Sequence, residues 1–210
     1  MYETMCPAYI WPYDSHQWTA FLEAGPKWGV INPMNGPGVY MPMYSDLVAQ
    51  MAARGIRTAG YIATNYGNKS ILDIKQEIAR YREMYSVQDY FFDETQPAMP
   101  LSYFNSIHEF VRLYGGRTRC TWWNPGAGWN SLRVKYLMSK LGGSCWVTWE
   151  GPEWLYLQER PRALWFPNRQ CHLVYGVSHQ TAVEELIPCR FAYLTADDLP
   201  NPWDTWRGIP

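Results

Sequence analysis

Asp89-Tyr90-Phe91-Phe92-Asp93-Glu94 is the stretch on which the reading of this chain turns. Its apolar run, Tyr90 to Phe92, is of the kind that fills the inside of a sheet. It ends abruptly in two adjacent carboxylates, followed by the loop residues Thr95, Gln96 and Pro97. That pattern is a buried strand with acids at its C-terminal tip, and in parallel α/β proteins the strand tips are where ligands bind and chemistry is done.

Working outward, the same alternation of strand and helix runs along the whole chain. Residues 5–12 predict a first strand. His16 to Ala24 predict a helix behind the capping residues Asp14 and Ser15. Strands follow at 28–33 and 58–64, separated by a helix over 44–54 with Gly55 at its C-terminal end. Ile71, Ile74, Ile78 and Tyr81 mark a helix over 71–85 that leads into the acid-tipped strand. Leu101, Phe104, Ile107 and Val111 mark another over 101–114. Strands at 117–123, 144–149, 170–177 and 190–195 alternate with helices at 132–141, 154–164 and 181–187, the second of these interrupted by Pro161. The tail from Asp197 is rich in proline and irregular. Eight strands and seven helices predict a compact α/β chain of the (β/α)8 TIM-barrel type, its last helix missing or replaced by the tail. An open doubly wound sheet would carry a glycine-rich phosphate loop after its first strand, and none is present. No linker or repeat divides the chain, so residues 1–210 are expected to form one domain.

Composition narrows the function. The chain has 210 residues, 47% hydrophobic and 18% charged, with a formal net charge of −1. Lys and Arg are scattered, which argues against nucleic acid as a partner. No apolar run approaches the roughly 20 residues that span a bilayer, and the N-terminus lacks the basic flank and apolar core of a signal peptide. The five cysteines lack metal-type spacing, and the first four fall in predicted strands. They are expected to be reduced thiols packed as small apolar groups. The aromatic share is 17%, with 12 Trp and 16 Tyr. Such rings fill cores, and they also serve as stacking platforms in sugar-binding clefts.

If strand tips form the site, they collect Trp11, Asn32, Thr64 with Asn65 and Tyr66, Asp93 with Glu94, Asn124, Glu150, Tyr175 and Asp197. There is no His or Cys cluster suited to a metal, no cofactor motif, no nucleophile elbow and no lysine at a tip. Carboxylate chemistry remains. Two carboxyl groups facing each other across a glycosidic bond are the minimum apparatus of most glycoside hydrolases. Asp93, Glu94 and Glu150 are the candidate catalytic acids. Each of them could instead cap a loop or pair with an arginine, and adjacent strand residues point to opposite faces, so only one of Asp93 and Glu94 need face the barrel mouth. Glu150 follows Trp146-Val147-Thr148-Trp149, and apolar surroundings would raise its pKa and favour it as the general acid. An open groove is expected across the tips, lined by rings from among Tyr9, Trp11, Tyr61, Tyr66, Trp122, Trp123 and Tyr175, with Asn32 and Asn124 as hydrogen-bonding groups; of Trp122 and Trp123, one is expected to line the cleft while the other packs between strand and helix.

Several segments carry a resemblance. Val30-Ile31-Asn32-Pro33 followed by Gly36-Pro37-Gly38, Gly60-Tyr61-Ile62-Ala63-Thr64 with Tyr66-Gly67, Phe91-Phe92-Asp93-Glu94 and Asn124-Pro125-Gly126 resemble, in order, the signatures of the spherulin-4-like family. Tyr193-Leu194-Thr195-Ala196-Asp197-Asp198 and Asn201-Pro202 resemble its C-terminal signature. That family includes glycoside hydrolase family 135. The resemblance implies a (β/α)8 barrel and endo-hydrolysis of α-1,4-linked galactosaminoglycan-type polymers, with Asp93, Glu94 and Glu150 at the catalytic positions. Where the family usually carries a His before the glycine ending strand seven, this chain has Tyr175 beside Gly176. Family members are mostly exported, whereas no signal is read here. An excised domain and a component of a phage particle are the two origins consistent with that. The expected activity is endo-acting cleavage of an extracellular or cell-envelope polysaccharide. The alternative is a non-catalytic glycan-binding or structural barrel.

Overall fold

The computed structural model describes residues 2–115, 120–126, 131–163 and 165–206. Eight parallel strands close into a barrel in sequence order: β1 (Glu3–Ala8), β2 (Trp28–Ile31), β3 (Arg57–Ala63), β4 (Asp89–Asp93), β5 (Thr121–Trp123), β6 (Cys145–Pro152), β7 (Gln170–Tyr175) and β8 (Phe191–Leu194). Among the described residues seven α-helices alternate with them: α1 (Ser15–Ala24), α2 (Pro42–Ala53), α3 (Ile71–Tyr85), α4 (Leu101–Gly115), α5 (Leu132–Lys140), α6 (Glu153–Glu159) and α7 (Gln180–Glu184). This is the (β/α)8 barrel read from the sequence. No helix follows β8 among the described residues. The start of the predicted fifth strand, 117–119, lies outside them.

Local chemistry explains the boundaries. The Asp14 carboxylate accepts from the Gln17 amide and caps α1, and the Ser70 hydroxyl accepts from the Asp73 amide and caps α3. Helix α6 stops at Glu159, short of its expected end, with Arg160 in the left-handed region and Pro161 behind it. Gly29 on β2 is required by packing. A Cβ there would sit 2.5 Å from the Met51 methyl and 2.6 Å from the Phe21 ring, so α1 and α2 lie tight on that strand.

Side chains of the organising strand alternate as a barrel demands. Tyr90 and Phe92 turn outward: the Tyr90 hydroxyl donates to the Ile78 and Val87 carbonyls, and Phe92 stacks on Trp123 at 4.5 Å. Asp89, Phe91 and Asp93 turn inward. Asp89, at the foot of the barrel, accepts on both carboxylate oxygens from Arg57 Nη2 and on Oδ1 also from the Cys120 amide. Phe91 fills the middle against Tyr61, and Asp93 stands at the top. Charge therefore sits at both ends of one strand around an apolar waist.

The five cysteines are buried free thiols. Cys6, Cys145 and Cys171 lie on strands. Cys120 precedes β5 by one residue, with its Sγ 3.6 Å from that of Cys145.

Candidate active site

The C-terminal rim opens into a cleft of about 630 Å³ whose lining includes Tyr9, Asn32, Tyr61, Tyr66, Asn124 and Tyr175 together with all three acids. No Lys, Arg or His lies among its described lining residues. Two irregularities of the backbone bring the acids together. Glu94 follows Asp93 directly and would point away from the barrel if the strand continued. Its φ of 52° ends the pleat and returns its carboxylate to the cleft. The unusual conformation is held from behind, because the Glu94 carbonyl accepts from the Tyr66 amide at 2.7 Å and the Thr64 hydroxyl at 2.8 Å. On β6, pairing with β7 slips between Val147–Cys171 and Trp149–His172, leaving Thr148 as one extra residue. That bulge turns Glu150 inward.

Asn124, just past β5, joins the acids. Its Nδ2 donates to Asp93 Oδ1 at 2.8 Å and to Glu150 Oε2 at 2.9 Å, so these two oxygens are less than about 6 Å apart. The electrostatics follow from this crowding. Burial raises the Asp93 pKa, opposed by the Glu94 amide and the Tyr61 hydroxyl, while the Glu94 charge pushes it further up. Glu150 is pushed up to about 7, chiefly by burial and then by the Asp93 charge, against hydrogen bonding from Asn124 and the Trp203 indole. Tyr9 and Tyr61, edge to face at 5.2 Å, have hydroxyls held above their ordinary pKa by burial and then by Asp93.

A family model, spherulation-specific family 4, matches residues 3–208. The chain belongs to that family. Among its relatives, spherulin-4 of Physarum polycephalum is 28% identical over 131 residues, which cover 58% of this chain and 38% of that protein. The match thus spans about two fifths of the relative's length. The crystal structure of Aspergillus clavatus Sph3 in complex with GalNAc superposes with a TM-score of 0.79 at 18% identity, over 97% of this chain and 92% of that one. At that identity the likeness is one of fold, the same closed barrel.

Within this spherulation family barrel, three of the candidate cleft rings lie elsewhere. Trp122 points into the lower barrel, edge-on to Trp28 and Phe191, and Trp123 points outward against Phe104 of α4; both are fully buried. The two alternate as adjacent strand residues must, but β5 ends below the mouth. Trp11 is 63% exposed beside Tyr13 and lies outside the cleft lining. The expectation that tryptophans surround Glu150 is also corrected. Trp146 and Trp149 face the helices, Trp149 donating its indole N–H to Glu159, so the burial of Glu150 comes from the barrel interior.

The tail supplies what the sequence reading missed. Leu199 to Trp203 form one wall of the cleft. Trp203 is buried against Tyr175 and Tyr193, with its carbonyl accepting from the Tyr9 amide at 2.9 Å. Asp197, expected at a tip, anchors this strap: its carbonyl accepts from the Gly176 amide and its carboxylate from the Thr205 hydroxyl. Glu153, the first residue of α6, is buried. Burial raises its pKa, but hydrogen bonds from Ser178 and His179 outweigh that and hold it below the usual range. It ties the start of α6 to the loop after β7. Among the described residues no cluster of His, Cys, Asp and Glu has the form of a metal site, and no helix is long and apolar enough to cross a membrane.

Proposed function

We propose that this chain is a glycoside hydrolase that cuts within a polysaccharide, with Glu150 as general acid and Asp93 as nucleophile. The observation that carries this reading is the closeness of two inward carboxyls joined by one amide. Glu150, with a pKa of about 7, retains its proton near neutrality and can deliver it to the leaving glycosidic oxygen. Asp93 is met by the Glu94 amide, the Tyr61 hydroxyl and Asn124, three donors that favour its ionised form for attack on the anomeric carbon. In the second half of the reaction the Glu150 carboxylate takes a proton from the water that releases the sugar from Asp93. Glu94 lies beside the pair and adds negative charge facing the oxocarbenium-like transition state.

A separation under about 6 Å fits retaining enzymes, whose carboxyls stand roughly 5–5.5 Å apart, better than inverting ones at roughly 6.5–9.5 Å. Retention is therefore the expected outcome. The sugar would stack on Tyr66, 57% exposed at the rim, and meet Asn32, whose buried Oδ1 has no partner among the described residues. Sph3 was crystallised with GalNAc, so polymers containing that sugar are the first substrates to try. New reducing ends from internal cuts, formed by the wild type and lost in Glu150→Gln and Asp93→Asn, would support the assignment, with the first-formed anomer read by NMR. Tight polymer binding without new reducing ends would favour a glycan-binding barrel instead.

A further inference from the structure

Asn124 was expected to bind sugar hydroxyls, but its hydrogen bonds are already committed. Its Nδ2 carries two hydrogens, matched by Asp93 Oδ1 and Glu150 Oε2. Its Oδ1 accepts from the Gly126 amide at 3.0 Å, which fixes the amide with nitrogen toward the acids. The backbone is pinned as well, its N–H donating to the Phe92 carbonyl and its carbonyl accepting from the Thr95 amide, both at 2.8 Å. The side chain is buried, leaving one lone pair on Oδ1 for any other partner.

We infer that Asn124 is the positioning residue of the acid pair, a clamp whose single amide holds Asp93 and Glu150 together, and that it does not bind the sugar. The inference builds on the hydrolase reading of the same site. Topology explains the choice of position. Strand order is β4, β5, β6, so the tip of β5 is the place from which one short side chain reaches an acid on each neighbouring strand. Chemistry explains the choice of residue. A hydroxyl has one hydrogen to donate, and a lysine or arginine would bring a positive charge that drives both acids to ionise. A neutral amide donates to both and leaves the proton on Glu150 available. Among the described residues the other groups that interact with Glu150 are Asp93, Tyr9, Tyr61, Tyr175, the Cys171 thiol and the Trp203 indole, none of them cationic at neutral pH, and Glu94 lines the same cleft. Among the described residues, Asn124 is the one whose side chain donates to both acids from a single group.

The wild-type protein provides a test that needs no turnover. With 15N-labelled asparagine, the Asn124 side-chain protons, assigned by their loss in Asn124→Ala, should shift with pH in two steps. The step near pH 7 should vanish in Glu150→Gln. A flat titration would overturn the clamp. On a hydrolysed glycan, Asn124→Ala should lower kcat about 100-fold with KM within about twofold, because a looser pair is misaligned for reaction. Both limbs of the pH profile should move up by roughly one unit, since a lost donor raises a carboxyl pKa. A raised KM with kcat and both limbs unchanged would mean that Asn124 binds sugar, and would overturn the inference. Absence of any glycan turnover by the wild type would remove the hydrolase reading and leave the NMR titration to decide the clamp.

Discussion

Trp146 and Glu150 lie four residues apart on β6 and face opposite sides of the sheet. Trp146 packs outward on Trp123 and Phe104, while Glu150 lines the cleft. In a regular strand an even spacing keeps two residues on one face. The extra residue, Thr148, changes the parity, and its hydroxyl donates to Gln170 Oε1 at 2.9 Å in a fully buried setting. Thr148→Val should leave that acceptor without its partner, costing roughly 1–3 kcal/mol in urea unfolding. It should also lower kcat, with KM little changed, because the bulge that aims Glu150 loses a hold. Unchanged stability would show that the hydroxyl plays no part in fixing the bulge.

Glu150 is held at a cost to the fold. Its pKa of about 7 lies above its ordinary value of 4.5, so the stability it contributes is complete below pH 4.5 and lost as pH rises through 7. At pH 8 the buried charge destabilises the protein by roughly 3 kcal/mol. Glu150→Gln removes the charge and keeps an acceptor for Asn124. The variant should melt at a higher temperature than the wild type at pH 8, with the gap closing by about pH 4.5, while turnover falls by roughly 1,000-fold or more. A gap that is the same at both pH values would contradict the assigned pKa direction.

Trp203 offers an indole N–H to the same carboxyl from the tail. Trp203→Phe keeps a ring between Tyr175 and Tyr193 and removes the donor. The Glu150 pKa should rise further, so the alkaline limb of kcat/KM should move to higher pH, and kcat should fall about tenfold. If the limb stays in place while Tm drops, Trp203 serves packing alone.

The barrel was legible because apolar periodicity and capping residues mark each strand and helix, and strand tips follow from the fold. Asp93 and Glu150 stand out as acids closing apolar runs. What stayed hidden depends on backbone detail and on contacts distant in sequence. Counting by twos along β6 from the outward Trp146 would place Glu150 outside the barrel, and nothing in Val147-Thr148-Trp149 announces a bulge. Counting likewise separates Glu94 from Asp93, although the left-handed turn at Glu94 brings them together. Trp122 and Trp123 carry the ring chemistry of a sugar site but sit too low on a strand of three residues. Trp203 lies in a proline-rich tail without periodicity, and only the closed barrel brings it back to β1 and β7.

His172 provides an acid-side counterpart to Glu150. It is buried on β7 with its Nδ1 2.9 Å from the Tyr156 hydroxyl, and burial pushes its pKa down to about 3. A depressed value means that its contribution to stability is complete above pH 6.5 and is lost as pH falls through 3, at about 1.4 kcal/mol per unit. Between pH 6.5 and 4.5 this loss runs opposite to the gain from Glu150, so the wild-type stability curve should be flatter there than either group alone would make it. Two variants separate the contributions. Glu150→Gln should show the loss from His172 uncovered, with stability falling more steeply on acidification. His172→Phe should be less stable than the wild type at pH 7, by roughly 1–2 kcal/mol for the unpaired Tyr156 hydroxyl, and should regain ground as the pH is lowered. Urea unfolding at half-unit steps from pH 7 to 4 measures both slopes. A His172→Phe curve parallel to the wild type across that range would show that His172 takes up its proton in the folded state at its ordinary pKa.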